Sequence, residues 1–435
     1  MRQLVEADLT WTGQRFEAGV QIAIGDDGRI DAVGAWGHEP TLRLVRRALL
    51  PGFINAHSHA FQRALRGQAE RFPQGAGSFW TWRDAMYALA DSLDPESARL
   101  VYLQAFREMR DAGITTCGEF HYLHHAGGGN DYEYDAVVLE AARAAGIRLV
   151  LLNAFYTTGG IGRPLQGAQR RFESPSAEAY WTQMDRLAAR CDSPLLTLGV
   201  VAHSVRAAPL EAIAALHAEA QRRQLRFHMH VEEQRAEIDE CLAKHGRRPM
   251  ELLVDLLPID GNLTAVHCTH THPDDMARFL EAGGTVCVCP LTEANLGDGL
   301  PTLDRVHAAG ARLSLGTDSN ARIGFLEEMR WLEYGQRLRR QERGAFRDEA
   351  GRVAPALLHA ATGGGGGALG VPAGRLEPGS WADLVAIDLD ASELAGLDPD
   401  SLLEGLVFGA GDPVIWGTAV AGDWRQTGTD ASRQP

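Results

Sequence analysis

The sequence predicts an α/β fold: a (β/α)8 TIM barrel carrying a small β-sandwich built from the two chain ends. Three observations predict it. Eight short β-rich apolar runs alternate with helix-like stretches through the middle of the chain. Unusual polar residues collect at the C-terminal ends of those runs. Both flanks instead alternate short strands with turns. Parallel strands need long crossovers, usually helices, and eight such units close into a barrel.

In chain order, residues 1–48 hold strand–turn patterns such as "VQIAIGDDGRIDAVG". The expected barrel strands are "LLPGFINA" (49–56), "GITTCGEF" (113–120), "IRLVLLNA" (147–154) and "LLTLGVVA" (195–202). They continue with "LRFHMHV" (225–231), "NLTAVHC" (262–268), "GTVCVCP" (284–290) and "RLSLGTD" (312–318). Helices are expected over 96–113 and 209–224, where apolar residues recur at helical spacing. An open doubly wound sheet is the rival, but no glycine-rich phosphate loop follows the first strand. Residues 371–435 return to strand–turn patterning, as in "WADLVAIDLD". Neither flank alone carries enough apolar surface for a core, so 1–48 and 371–435 are expected to pair into one sandwich beside a 49–370 barrel. The run "GGGGG" at 363–367 reads as a helix-entry loop. No Lys or Ser/Thr signature follows it, which argues against a phosphate site.

Composition bounds the function. The 435 residues are 45% hydrophobic and 23% charged, ordinary for a globular protein. A formal net charge of -15 disfavours nucleic acid or an anionic membrane as partner, though not a small anionic substrate. No apolar stretch is long enough to span a bilayer, and the N-terminus lacks a signal-peptide h-region. Six scattered cysteines without a CxxC pair fit a reducing cytoplasm, with Cys287 and Cys289 as core residues.

The chemistry lies at strand ends. In "PGFINAHSH", His57 and His59 are two residues apart and project to one face of a strand. His230 ends the fifth strand, His267 the sixth, and Asp318 closes the eighth in "GTDS". Active sites of such barrels form at this rim, and three imidazoles with a carboxylate suit Zn2+, with Fe2+ second, leaving a position for water. His228, one layer deeper, reads as packing. Glu233 follows His230 by three residues and can turn over the metal as a proton carrier. Adjacent Glu232 reads as a solvated loop residue. A two-metal centre commonly bridges through a carboxylated lysine on strand four; the chain's one lysine is Lys244, beyond strand five, so one metal is expected.

"PGFINAHSH", "HMHVEE", "VHCTH" and "GTDS" resemble the mononuclear deaminase branch of the amidohydrolase superfamily, and "GRLEPGSWADLVAIDLD" resembles its C-terminal flank. The resemblance covers essentially the whole chain. It implies a metal held by His57, His59, His230 and Asp318, with Glu233, His267 and Asp318 handling protons, and a homodimer. "HSHAFQRALRG", "SFWTWRDAMY", "EFHYLHH" and "AHSVRA" are similar to the formimidoylglutamate deiminase family within that branch. That similarity implies a small dicarboxylate substrate contacted by Gln62, Arg83, Tyr122, His203 and Arg206. Guanidinium forks suit carboxylates, which agrees with Arg83 and Arg206. The alternatives are a nucleobase or nucleoside-type deaminase of the same branch and a non-catalytic barrel scaffold.

Overall fold

The computed structural model describes residues 2–428 apart from 73–74, 128–129, 305 and 307–311. The expected C-terminal flank therefore reaches beyond it, since 429–435 lie outside the described residues.

Five strands open the chain: β1 (Gln3–Trp11), β2 (Phe16–Glu17), β3 (Gln21–Ile24), β4 (Ile30–Gly34) and β5 (Leu42–Pro51). Eight parallel strands follow: β6 (Phe53–Ser58), β7 (Ile114–His121), β8 (Arg148–Phe155), β9 (Leu196–Ala202), β10 (Phe227–Val231), β11 (Leu263–His267), β12 (Thr285–Val288) and β13 (Leu313–Leu315). Seven of these eight are buried along their whole described length, which is why they read as unbroken apolar runs rather than alternating ones. Helices such as Pro95–Asp111 and Leu210–Arg222 cover them, close to the expected spans.

One expected strand divides in two. Residues 49–51 finish β5, and β6 begins only at Phe53. Gly52 marks the break, because a Cβ there would lie 2.2 Å from the Thr115 hydroxyl. The chain passes from one sheet to the other at that point.

The barrel closes through backbone and side-chain bonds together, with the Thr317 and Asp318 N–H groups both donating to the His57 carbonyl (3.0 Å each). The end of β6 and the chain after β13 meet at an isolated parallel bridge, Ser58 to Asp318. Around it, the Asn55 amide donates to Thr317 Oγ1 (2.7 Å), the Thr317 N–H donates to Asn55 Oδ1 (3.0 Å), and the Asn320 amide donates to Ser58 Oγ (3.1 Å). The His59 N–H reaches the Asp318 carbonyl (2.8 Å). The seam that closes the cylinder therefore carries three of the residues expected at the rim.

The glycine run is a correction. Gly363–Leu369 is itself a helix, not the loop before one. Helix propensity argues against five successive glycines, at roughly 1 kcal/mol each relative to alanine. Tertiary contact reverses that: a Cβ on Gly364 would sit 2.1 Å from the Leu313 carbonyl, and one on Gly365 2.8 Å from the Ile54 carbonyl. The helix backbone lies directly on β6 and β13.

The C-terminal strands β14 (Leu384–Asp388), β15 (Ile415–Val420) and β16 (Asp423–Gln426) complete a mixed sheet of order β16-β15-β14-β5-β1-β3-β4, with β2 on β1. Val5, Ile22, Leu44, Leu384 and Ala419 share its own apolar cluster. Arg148 on β8 ties this sheet to the barrel through a buried fork onto Asp383 (2.8 and 3.0 Å).

Candidate functional site

β6 ends in His57 and Ser58, and His59 follows with its ring on the same side as His57. The His59 Nδ1–H donates to the Phe120 carbonyl (2.7 Å), and the His230 Nδ1–H donates to the His203 carbonyl (3.1 Å). Those bonds fix the tautomer and leave each Nε2 lone pair facing inward. His230 Nε2 lies 3.2 Å from His57 Nε2 and 3.3 Å from His59 Nε2. Asp318 Oδ1 lies 3.3 Å from both His57 Nε2 and His59 Nε2.

These four distances test the fit of a cation. Donors at the corners of a tetrahedron with bonds of about 2.0–2.1 Å sit roughly 3.3–3.4 Å apart, since the edge is about 1.63 times the bond. The observed 3.2–3.3 Å edges match. Lone pairs this close repel unless a cation lies between them. Burial, reinforced by neighbouring imidazoles, holds His57 and His230 well below the ordinary histidine range and His59 down to about 3. The neutral, ligating form is the buried one. The donor set fits a divalent cation.

A second buried group, His121, His124 and Asp135, also brings three donor atoms together. Its atoms are already spent. His124 Nδ1 lies 2.8 Å from Asp135 and its Nε2 2.8 Å from the Ala154 carbonyl, while Asn153 and Gln183 amides donate to the other carboxylate oxygen (3.2 and 2.9 Å). It is a hydrogen-bonded brace.

Strain marks the rim. Glu232, His267, Cys268, Asp318 and Asn320 all take left-handed φ values between 45° and 71°. Non-glycine residues rarely adopt this region, and such positions cluster at functional sites. Here they terminate β10 and β11 and the turn after β13, re-aiming side chains over the barrel mouth.

The structure brings the expected residues together. His59, His230, His267 and Asp318 line one pocket with Glu233, Gln62, Arg83, Tyr122, His203 and Arg206, about 800 Å3 including its open mouth. His57 lies fully buried beneath. Gln62 Nε2–H donates to the Tyr122 hydroxyl (2.6 Å) beside His59. The Arg83 guanidinium stacks on Trp80 (4.3 Å) and Tyr87 (5.5 Å). Arg206 Nη2–H donates to Glu233 Oε2 (3.2 Å). His267 Nδ1 is 3.6 Å from Glu293 Oε1. Burial lowers the His267 pKa, but Glu233, Glu293 and Asp318 outweigh it and raise it to about 10; a bound cation would oppose that rise.

One sequence reading changes in detail. Glu232 is not solvated: it is fully buried, accepts the Met250 N–H (3.2 Å) and faces Arg248 (3.5 Å), so it holds the next helix, Pro249–Leu256, in place. Its left-handed backbone turns the side chain back under the loop. His228, in contrast, stands below the rim, its Nε2–H on the Ala368 carbonyl (3.0 Å), as its place two residues before His230 implied.

Three residues escaped the sequence reading. Glu119, between Gly118 and Phe120 in a fully buried strand, is pushed up to about 8 by burial and accepts the Ala60 N–H (2.7 Å), holding the turn after His59. Its isolation among apolar neighbours was the available signal. Glu293 supports His267. Glu237, on the helix Arg235–His245, reaches the pocket, but an acidic residue in a helix's first turn looks like any other N-terminal charge.

The amidohydrolase family profile matches residues 48–425. The chain is 39% identical over 411 residues to the formimidoylglutamate deiminase of Pseudomonas aeruginosa, covering 93% of this chain and 90% of that protein. It is 29% identical to the 8-oxoguanine deaminase of the same organism, covering 92% and 88%. Among solved structures, an amidohydrolase from Brucella melitensis superposes with a TM-score of 0.89 at 32% identity, covering 98% of this chain and 95% of that one. With its eight-stranded barrel, divalent-metal donor set and rim pocket, this chain belongs to the amidohydrolase family and is a hydrolase of carbon–nitrogen bonds.

Proposed function

We propose that this protein hydrolyses N-formimidoyl-L-glutamate to N-formyl-L-glutamate and ammonia, using one Zn2+ held by His57, His59, His230 and Asp318. The observation that carries the substrate is the pairing of that donor set with Arg83 and Arg206 in one pocket, whose third arginine, Arg163, is engaged by Glu240 at 2.8 Å. Each guanidinium can take one carboxylate as a fork. The formimidoylglutamate deiminase of Pseudomonas aeruginosa, 39% identical to this chain, supports the reading.

When bound, the cation supplies a water of lowered pKa at neutral pH. Arg83 and Arg206 bind the two carboxylates and so aim the amidine inward. Gln62 and Tyr122, already hydrogen-bonded to each other, orient the formimidoyl group from the His59 side, and His203 borders it on the other. His267 and Asp318 take up the proton released as water adds to the amidine carbon. That proton passes through Glu233 to the terminal nitrogen, the hydroxyl proton follows it as the carbonyl of the formyl product forms, and the nitrogen, now carrying both protons of the water, leaves as neutral ammonia. Water adds, the C–N bond breaks, and the proton count balances.

The rival is a nucleobase deaminase, the activity named for the 8-oxoguanine relative. A flat heterocycle would need a free aromatic face. Trp80, one of the aromatic faces lining the pocket, is covered by Arg83 at 4.3 Å, so it is not free to stack a heterocycle. The discriminating assay is ammonia release from N-formimidoyl-L-glutamate, with and without chelator, beside a panel of guanine and adenosine derivatives. Release from the amidine alone, abolished by chelation, is expected. Release only from a purine would overturn the assignment.

A further inference from the structure

Two buried polar atoms face each other in the pocket without a hydrogen bond. Arg206 Nε–H has no acceptor, and neither carboxylate oxygen of Glu237 has a donor. They stand 3.7 Å apart, at ion-pair distance but beyond a hydrogen bond. Glu237 is fully buried, and Arg206 keeps only 14% of its side chain exposed. An uncompensated buried carboxylate is costly, so Glu237 holds its place because the guanidinium is beside it.

The guanidinium is thus shared between two carboxylates. Its Nη2 edge is engaged by Glu233 at 3.2 Å, and its Nε edge is loosely faced by Glu237 at 3.7 Å. Phe79 flanks it, with the ring centroid 5.9 Å away. Arg83 differs: it rests on aromatic faces, and no ion pair to it is found among the described residues. The same pocket holds one guanidinium open to an incoming anion and one that must first let go of Glu233.

We propose that Glu237 is a positioning residue for substrate binding: it retains Arg206 by the Nε edge while a substrate carboxylate displaces Glu233 from the Nη edge. A shift of about 0.8 Å would bring Arg206 Nε to the roughly 2.9 Å of a charge-assisted hydrogen bond with Glu237. Arg206 then keeps one carboxylate partner from the protein and gains one from the substrate. Glu233 is freed for proton transfer only when a carboxylate-bearing substrate arrives. This inference rests on Arg206 as a carboxylate contact in the proposed function.

A double-mutant cycle on the zinc-loaded protein tests it, with glutarate as the probe and calorimetric Kd as the readout. Glu237→Gln preserves shape and removes the charge; Glu237→Asp keeps the charge and withdraws it by one methylene. Each is expected to weaken glutarate about tenfold in the wild-type background and less than twofold in an Arg206→Met background, as coupled neighbours behave. Turnover should divide the same way, with KM for N-formimidoyl-L-glutamate rising and kcat falling less. Equal weakening in both backgrounds would mark a merely structural role and overturn the proposal. Unchanged or tighter binding by Glu237→Gln alone would also overturn it, because the carboxylate would then only be repelling the dianion. Wild-type protein that binds no glutarate overturns both this inference and the dicarboxylate reading; a flat cycle on a wild type that binds overturns this inference alone.

Discussion

At the scale of single residues, the pocket separates groups that bind from groups that move protons. Glu233 sits at the boundary, because its carboxylate is both the proposed proton carrier and the resting partner of Arg206 at 3.2 Å. Replacing Glu233 with Gln keeps the shape and removes the titrating group. It should lower kcat by about 10²–10⁴-fold, the usual weight of a positioned acid–base group, with zinc content by metal analysis unchanged. Turnover within a few-fold of wild type would remove Glu233 from the proton path. Arg83 makes a different prediction. Its guanidinium lies over Trp80, so Arg83→Met should retain packing while losing the fork, raising KM for the dicarboxylate by about tenfold or more and leaving kcat nearly intact. Steady-state kinetics on the two variants would show the losses falling in different parameters.

At the scale of elements, the strands present side chains and the loops aim them. β10 shows both roles, since His230 reaches the metal donors at the rim while His228 is locked below on Ala368. Burial lowers the His228 pKa to about 4. A histidine whose folded pKa lies below its unfolded 6.5 binds its proton preferentially in the unfolded chain. Its neutral form therefore penalises nothing above pH 6.5, and stability falls as pH drops from 6.5 toward 4. At 1.36 kcal/mol per pH unit the loss approaches about 3 kcal/mol. Denaturant midpoints of His228→Gln, in which the amide can still donate to Ala368, should decline less steeply over that window than those of the wild type; parallel curves would dismiss the effect. The glycine helix makes the second prediction at this scale. Gly364→Ala would gain helix propensity but drive a methyl to 2.1 Å from the Leu313 carbonyl. The clash should win, destabilising by about 1–3 kcal/mol as overpacking does, measured as a lower thermal midpoint. A raised midpoint would mean that the helix is free to move off the barrel.

At the scale of the whole molecule, the metal donors and the barrel seam are one construction. Ser58 and Asp318 bridge β6 to the chain after β13, and His57, His59 and Asp318 are the donors beside that bridge. A cation among them thus also fastens the first and last strands. Removing it with a chelator should abolish ammonia release and lower the thermal midpoint by several degrees, since a ligand that binds only the folded chain stabilises it by mass action. Restoring about one equivalent of Zn2+ per chain should recover both, as a single donor set requires. Recovery of activity with no change in midpoint would separate the site from the seam.

The barrel and its donors were legible in the sequence because both follow local rules. Fully buried parallel strands read as apolar runs, and histidines at their ends stand out against that background, so His57, His59, His230, His267 and Asp318 could be singled out by position. Other features depend on neighbours that no local pattern names. Glu232 looked like a loop residue until Met250 and Arg248 were seen against it. The glycines at 363–367 read as the loop before a helix until β6 and β13 were found pressed on their backbone. Glu237 was one charge in a helical first turn until Arg206, distant in the chain, came within 3.7 Å. Residue type and periodicity determine which groups can bind a metal and which segments become strands; long-range packing decides which buried charge meets which partner, because that energy exists only once the chain has closed.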